Sequence, residues 1–268
     1  MKSRTKPRER IMTPGFIGTG TITSALVTGL CTSTHPPASI WVSPRNAHKA
    51  GHLEAAFQAV RIGTDNQEVV DRTDVVVLAV LPQQAEAILG PLRFRADQPI
   101  VSLLAGTPLS RIRSLVAPAD PAIRAVPLPS TEKHVGPIAL FPGNATAEAL
   151  FQDLGTLIVA QEEPELDKLS IITSLMAPYY ALLHEIVAWA ADAGVDPKNA
   201  ADYTASMFRG LSFLVEDRKD TDLATMVQEC MTPGGLNEAA LEVIRTQGGF
   251  APITEALCAV RNKVEGDS

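Results

Sequence analysis

Cysteine is scarce in this chain of 268 residues, which limits how the fold can be stabilised. The three cysteines, Cys31, Cys230 and Cys258, are far apart and form no CxxC pair. An odd and scattered set is typical of reduced thiols in a cytosol, and it argues against a disulfide framework or a zinc site. The histidines likewise show no metal-ligand spacing. We therefore expect a cytoplasmic protein that binds no metal.

An excess of basic residues and a long apolar run are also missing. The chain has 23 Lys and Arg against 30 Asp and Glu, a formal net charge of −7. This balance disfavours nucleic acid or an anionic membrane as the main partner. We expect no segment that is long and apolar enough to cross a bilayer. The basic residues 1–11 are predicted to form a flexible arm, while 46% hydrophobic residues are enough for a buried core.

The first half of the chain alternates short apolar runs with stretches of helical spacing. The predicted strands are 13–17, 40–42, 75–80, 99–103 and 122–126, and the predicted helices are 21–30, 47–57, 83–89 and 109–115. Strands that alternate with helices predict βαβ units and a parallel sheet. The run 75–80 is apolar throughout, as expected of a strand that is covered on both faces. Pro14 is awkward in the first strand because proline removes a ladder donor.

The second half carries only helical patterns. The predicted helices are 166–193, 197–216, 222–230, 236–246 and 251–263. The first of these is too apolar on all sides for a surface helix. We therefore expect it to be buried in a helical bundle that is shared with a second subunit.

A glycine-rich turn follows the first predicted strand. The residues Gly15-Phe16-Ile17-Gly18-Thr19-Gly20 lead directly into the helix that begins near Thr21. Gly18 permits a tight turn, Gly20 lets the backbone approach a pyrophosphate, and the small Thr23 allows the helix to pack on the strand. Free N–H groups at a helix N-terminus favour bound phosphate. The turn therefore predicts a Rossmann-type dinucleotide site.

The end of the second strand indicates which dinucleotide is bound. NAD-specific sites usually place a carboxylate there, whereas this chain reads Ser43-Pro44-Arg45-Asn46. Ser43, Arg45 and Asn46 can donate hydrogen bonds to a 2′-phosphate, and a guanidinium stacks well on adenine. The alternative for Arg45 is a solvated loop charge. We predict NADPH as the cofactor, with NADH bound more weakly.

Several short segments, in this order and spacing, resemble the pyrroline-5-carboxylate reductase family over nearly the whole chain. They are the glycine turn at 15–20, Asp65-Asn66, Ala79-Val80-Leu81-Pro82-Gln83, SLLAG at 102–106, Arg124–Pro127, Thr232-Pro233-Gly234-Gly235 and Gly248-Gly249-Phe250. The resemblance implies an α/β fold in which an N-terminal Rossmann dinucleotide-binding domain is followed by an all-α C-terminal dimerisation domain. We place these domains at residues 1–162 and 163–268. The implied assembly is a homodimer or a higher homo-oligomer.

The chain departs from the family pattern mainly in the segments of the substrate half. Leu81 stands where the family has a lysine, and Leu128 where it has an asparagine. Thr173–Tyr179 replaces a glycine- and serine-rich helix start, and Leu236 and Asn237 replace threonines. The cofactor half therefore matches the family better than the substrate half.

These patterns assign candidate site residues. Those expected at the cofactor are Gly15, Gly18, Thr19, Gly20, Thr21, Ile22, Ser43, Arg45, Asn66, Ala79, Val80, Pro82, Ala105 and Gly106. Those expected at a substrate carboxylate are Thr232, Gly234, Gly235, Leu236 and Asn237, because backbone N–H groups at a helix start suit an anion. Asn237, Thr173 and Tyr179 are the candidates for catalysis. Arg124 could add positive charge near the substrate, whereas His184 is read as a hydrogen-bonded core residue.

The implied reaction is NADPH-dependent hydride transfer to a C=N carbon, with 1-pyrroline-5-carboxylate reduced to L-proline in proline biosynthesis. Two alternatives stay open. One is a paralogue that reduces a different imine, which the altered positions Leu175 and Leu236 favour. The other is a non-catalytic NADPH-binding regulatory protein that kept only the cofactor domain. All three share the same first half, so only the substrate half separates them.

Overall fold

The computed structural model describes residues 12–266, so the predicted arm at 1–11 lies outside the described residues. The chain divides into two compact units, Met1–Ser170 and Ile171–Ser268. The domain boundary predicted after residue 162 stays a prediction. It falls directly before the helix Glu163–Ile172, within which the division between the two units lies.

An eight-stranded sheet forms the centre of the first unit. Its strands are β1 (Pro14–Ile17), β2 (Ile40–Val42), β3 (Val60–Ile62), β4 (Val75–Leu78), β5 (Ile100–Ser102), β6 (Ala122–Pro127), β7 (Pro137–Phe141) and β8 (Thr156–Val159). The spatial order is β3-β2-β1-β4-β5-β6-β7-β8. Strands β1 to β6 are parallel, β7 is antiparallel to β6, and β8 is parallel to β7. The predicted α/β fold class is confirmed. Successive strands are added on one side of β1 up to β3 and on its other side from β4 onward, so the strand order reverses between β1 and β4.

Helices cover both faces of this sheet. They are α1 (Thr21–Thr32), α2 (Ala47–Ala56), α3 (Asn66–Arg72), α4 (Ala85–Leu89), α5 (Leu109–Val116) and α6 (Ala145–Phe151), with short 3-10 turns at Pro82–Gln84 and Pro129–Lys133. Strand β4 shows why both faces are dry. Val75 and Val77 belong to one buried cluster, and Val76 and Leu78 to another. Alternate side chains therefore enter separate cores, as its unbroken apolar sequence predicts.

Pro14 is accommodated at the first position of β1, where it pairs with Val75 of β4. The residue before it anchors the start of β1 to the residue before β4. The Thr13 N–H donates to Asp74 Oδ2 at 3.0 Å, and the Asp74 N–H donates to the Thr13 carbonyl at 2.9 Å. A proline at a strand's first residue therefore leaves this part of the ladder intact.

The chain beyond β8 is helical throughout its described residues. Its helices are α7 (Glu163–Ile172), α8 (Met176–Asp192), α9 (Pro197–Asp217), α10 (Leu223–Glu229), α11 (Leu236–Thr246) and α12 (Ala251–Gly266), and the 3-10 turn Thr173–Leu175 lies between α7 and α8. The predicted all-α second half is confirmed. Large apolar side chains remain exposed on it, including Trp189 at 73%, Tyr203 at 74% and Phe213 at 65% exposure.

One sequence expectation about membranes is wrong. Residues Glu163–Asp192 form a helical run of 30 residues that is long and apolar enough to cross a bilayer by length and composition alone. The sequence pattern predicted most of this run as one apolar helix, 166–193, but we assigned that helix to a buried bundle and did not count it as a possible span. A single helix of this kind is weak evidence for a membrane span. Only 6% of its most apolar 18-residue stretch is buried within the single chain. Apolar surface that a single chain leaves exposed in this way is typical of a subunit interface.

Candidate dinucleotide and substrate sites

The glycine turn lies between β1 and α1, where the strand order reverses. Gly18 has a φ of 99°, and a Cβ there would collide with the carbonyl oxygen of Ala79. Gly20 differs, because a Cβ would meet nothing within 4 Å. Within the described chain no side chain caps the N-terminus of α1 at Gly20. The turn thus leaves open space and free N–H groups at a helix start, which fits the diphosphate of a dinucleotide.

Ser43 fixes the position of this turn. The Gly18 N–H donates to Ser43 Oγ at 2.9 Å, and the Thr19 hydroxyl donates to the Ser43 carbonyl at 2.7 Å. The two hydroxyl oxygens lie 3.1 Å apart, so the Ser43 hydroxyl proton can be donated to Thr19. Ser43 and Thr19 are only 1% and 4% exposed. Their hydrogen-bonding groups are thus engaged with each other and the turn, which gives them a positioning role and leaves Ser43 little to offer a 2′-phosphate.

Gly15 also has a packing role in the structure. It lies inside β1 and is buried, and a Cβ would come within 2.6 Å of the Thr73 hydroxyl oxygen. Its missing side chain therefore lets the end of α3 approach β1. Direct contact between Gly15 and a cofactor stays a prediction.

Two cations lie close to the turn, and sequence reasoning identified only one of them. Arg45 Nη1 donates to Gln84 Oε1 at 3.0 Å, and Lys49 Nζ donates to the Thr21 hydroxyl at 2.9 Å. Neither cation has a carboxylate within ion-pair distance in residues 12–266. Lys49 was missed because a lysine in an amphipathic helix is usually solvated. Among the described residues both cations are bonded to neutral oxygens, so their positive charge can attract an anion.

The remaining cofactor candidates follow the carboxyl ends of neighbouring parallel strands. Asn66 begins α3 after β3, Ala79 to Pro82 follow β4, and Ala105 and Gly106 follow β5. In doubly wound sheets, ligands bind at this edge beside the point where strand order reverses. The structure thus brings the candidates of the first unit to one edge of the sheet.

The substrate candidates of the second unit form a tight turn before α11. The Gly235 N–H donates to the Thr232 carbonyl at 2.8 Å, and the Gly234 N–H donates to Glu238 Oε2 at 2.6 Å. Asn237 Nδ2 donates to the Cys230 carbonyl at 3.0 Å. These groups, expected to be available to a substrate carboxylate, already have partners within the chain. A bound carboxylate would have to displace Glu238 or use the later N–H groups of α11.

The other catalytic candidates also belong to the second unit. Thr173 begins the 3-10 turn between α7 and α8, and Tyr179 is on α8. The Tyr179 ring lies edge-on to Phe208 of α9, with 6.0 Å between centroids, and 5.7 Å from the ring of Tyr180. Tyr179 is 41% exposed, so its ring packs on α9 while part of it stays accessible. The catalytic roles of Thr173, Tyr179 and Asn237 stay predictions.

Arg124 cannot supply the free positive charge that the sequence suggested. Its side chain is 6% exposed and donates to Glu163 Oε1 and Asp167 Oδ1, each at 2.7 Å. Glu163 Oε1 also accepts the Leu109 N–H at the start of α5. The guanidinium is therefore neutralised by two carboxylates of α7, and it ties β6 to that helix.

Comparison with known families agrees with this division of the chain. The family described as NADP oxidoreductase coenzyme F420-dependent matches residues 13–106. The family described as Pyrroline-5-carboxylate reductase dimerisation matches residues 163–266. The first half is thus a nicotinamide-dinucleotide-binding oxidoreductase fold, and the second half is a homo-oligomerisation domain.

Individual relatives match both halves together. A pyrroline-5-carboxylate reductase of Pseudomonas aeruginosa is 25% identical over 258 residues, 92% of this chain and 94% of that protein. One from Synechocystis is 28% identical over 257 residues, 91% of this chain and 94% of that protein. The solved pyrroline carboxylate reductase of Plasmodium falciparum with NADP bound has the same fold, with a TM-score of 0.81, 16% identity, and coverage of 95% and 97% of the two chains. This chain therefore matches pyrroline-5-carboxylate reductases across nearly its full length, and its second half matches their dimerisation domain, which supports its place in the pyrroline-5-carboxylate reductase family.

Proposed function

We propose that this protein uses NADPH to reduce a cyclic imine, and that 1-pyrroline-5-carboxylate, converted to L-proline, is its main substrate. The full-length match to named pyrroline-5-carboxylate reductases carries the proposal. The open, uncapped start of α1 beside Gly20 supports it independently, because it suits a dinucleotide diphosphate.

The chain itself contributes binding and alignment. When bound, reduced nicotinamide would supply the hydride for the imine carbon, and water would supply the proton that the nitrogen needs to become the amine. The start of α1 would hold the diphosphate, and the small residues Ala79, Ala105 and Gly106, which follow β4 and β5, would border the nicotinamide ring. The turn at 232–237 is proposed to bind the substrate carboxylate. Holding donor and acceptor in register is the main source of rate in such a site.

The proposed preference for NADPH rests on Arg45 and Lys49, which have no carboxylate partner among the described residues. One charged hydrogen bond contributes about 1.5–3 kcal/mol, so Arg45→Ala should weaken NADPH roughly ten- to hundredfold and spare NADH. Lys49→Met should act in the same direction. Fluorescence titration with both cofactors measures this. An equal loss for both would show that these cations do not contact a 2′-phosphate.

We propose that the protein forms a homodimer, or a higher homo-oligomer, through its helical unit. The exposed aromatic side chains of α8 and α9 support it, since contiguous apolar surface of this kind marks an interface. Sedimentation at micromolar concentration tests it. A stable folded monomer would contradict the proposal.

A different imine is the second candidate substrate, and two exposed leucines favour it. Leu81, beyond β4, is 62% exposed, and Leu236, at the start of α11, is 91% exposed. The family pattern has a lysine and a threonine at these positions, so this chain offers apolar contacts instead. NADPH oxidation with a panel of carboxylated and uncarboxylated cyclic imines separates the candidates. NADPH binding without turnover of any imine would instead favour a regulatory protein.

A further inference from the structure

A hydrogen bond between Arg45 and Gln84 crosses the carboxyl end of β1. Arg45 follows β2, Gln84 ends the 3-10 turn after β4, and β1 lies between these two strands. Strands two places apart in a sheet are about 10 Å apart, so two long side chains are needed to span them. Arg45 Nη1 and Gln84 Oε1 meet at 3.0 Å. The bridge therefore lies beside the glycine turn, at the edge where the candidate cofactor residues gather.

The chemistry of this bridge differs from that of the other paired arginines. Arg72, Arg111 and Arg218 each pair with a glutamate, and Arg124 pairs with Glu163 and Asp167. Arg45 is bonded to a neutral oxygen, as Arg61 and Arg95 are, but their partners are backbone carbonyls whereas that of Arg45 is a side-chain amide. That oxygen occupies one of the five guanidinium N–H donors and leaves the positive charge uncompensated. The bridge therefore restricts the direction of the guanidinium while keeping it available to an anion.

Stability alone gives little reason for such a bond. Arg45 is exposed and Gln84 is half-buried. A hydrogen bond between two long side chains at the surface gains little, because fixing both of them costs conformational entropy. What sets Arg45 apart is its place beside the glycine turn, where a guanidinium that is held in one direction but not neutralised can bind an anion.

We propose that Gln84 is a positioning residue for cofactor choice. It holds the Arg45 guanidinium beside the end of β1, where the guanidinium bonds the 2′-phosphate of NADPH. Gln84 thereby sets part of the preference for NADPH over NADH. This inference depends on the proposed use of NADPH.

Two substitutions test the role of the amide. Gln84→Leu removes the acceptor, and dissociation constants by fluorescence titration should rise about two- to tenfold for NADPH and stay unchanged for NADH. Gln84→Glu puts a carboxylate on Arg45 that competes with the phosphate, so its loss for NADPH should be larger than that of Gln84→Leu. NADH serves as the internal control for folding of the site.

The same substitution in an Arg45→Met background separates positioning from a general structural effect. If Gln84 acts through Arg45, Gln84→Leu should cause no further loss of NADPH affinity in that background. An equal loss with and without Arg45, or an equal loss for NADPH and NADH, would overturn the inference. If Arg45→Met leaves NADPH affinity unchanged, the proposed cofactor site itself fails. If Arg45→Met weakens NADPH selectively and neither Gln84 variant does, only the role of Gln84 fails.

Discussion

Replacing Arg124 with methionine should destabilise the first unit far more than removing a similar arginine from the surface. The Arg124 side chain is 6% exposed, and its partners Glu163 and Asp167 are 27% and 38% exposed. Breaking a buried ion pair by removing one partner costs about 3–5 kcal/mol, because the remaining charge is left without compensation. We expect the lower end, about 3 kcal/mol, since both carboxylates reach solvent and Glu163 keeps its bond from the Leu109 N–H.

Arg111→Met is the matched control. Arg111 and Glu86 meet at 2.6 Å, as close as the buried pair, but their side chains are 47% and 78% exposed. An exposed pair of this kind contributes about 0–1 kcal/mol. The two variants therefore compare similar contact distances at very different burial.

Urea unfolding at a fixed protein concentration measures the difference. The chain has two tryptophans, Trp41 on β2 and Trp189 on α8. In a Trp189→Phe background, fluorescence reports only Trp41 and hence the first unit. Equal losses for Arg124→Met and Arg111→Met would refute the reasoning that burial sets the cost.

Three further predictions address the cofactor turn, a buried thiol and the substrate turn. Gly20→Ala should change the free energy of unfolding by less than about 1 kcal/mol, because its Cβ would enter open space. The same Cβ should block the close approach of the backbone to the diphosphate and weaken NADPH binding by about tenfold or more. Thermal melts measure the first effect and fluorescence titration the second. Burial raises the pKa of the Cys31 thiol to about 11. At pH 8 this thiol should therefore be alkylated roughly a hundred times more slowly than an ordinary thiol. Rapid labelling of the peptide that contains Cys31, followed by mass spectrometry, would contradict the prediction. Glu238→Gln removes the charge beside the Gly234 N–H and should lower KM for an anionic imine by up to about fivefold; an unchanged KM would place the carboxylate elsewhere.

Which strands could be predicted from the sequence depended on how strongly apolar each of them is. β4 was found because Val75–Leu78 is apolar throughout and enters two cores. β3 was missed because Val60–Ile62 has three residues with an exposed arginine in the middle. β7 was missed because it begins with an exposed proline, and β8 because none of its residues is fully buried. Short strands at a sheet edge are stabilised by their neighbours, which a local pattern does not show.

The candidate site followed a similar division. The glycine turn and Arg45 could be predicted, since both depend on the residue type at a fixed place after a strand. Lys49 could not, because its contact with Thr21 joins two helices and has no local signature. The engagement of Ser43 with the turn and of Glu238 with Gly234 also depends on tertiary contacts. The residue types that a site needs could be predicted, but not which of their hydrogen-bond donors are already in use.

The contacts of Ser43 with Gly18 and Thr19 hold the glycine turn in place through protein groups alone. Three short contacts hold it, and Gly18 has the left-handed conformation that this turn requires. A loop that is disordered before binding must lose conformational entropy when it closes on a ligand, and this loss is subtracted from the affinity. The contacts to Ser43 restrict the turn and should therefore reduce that loss. Ser43→Ala should therefore slow cofactor association and weaken both NADPH and NADH, in contrast to Arg45, whose effect depends on the 2′-phosphate alone.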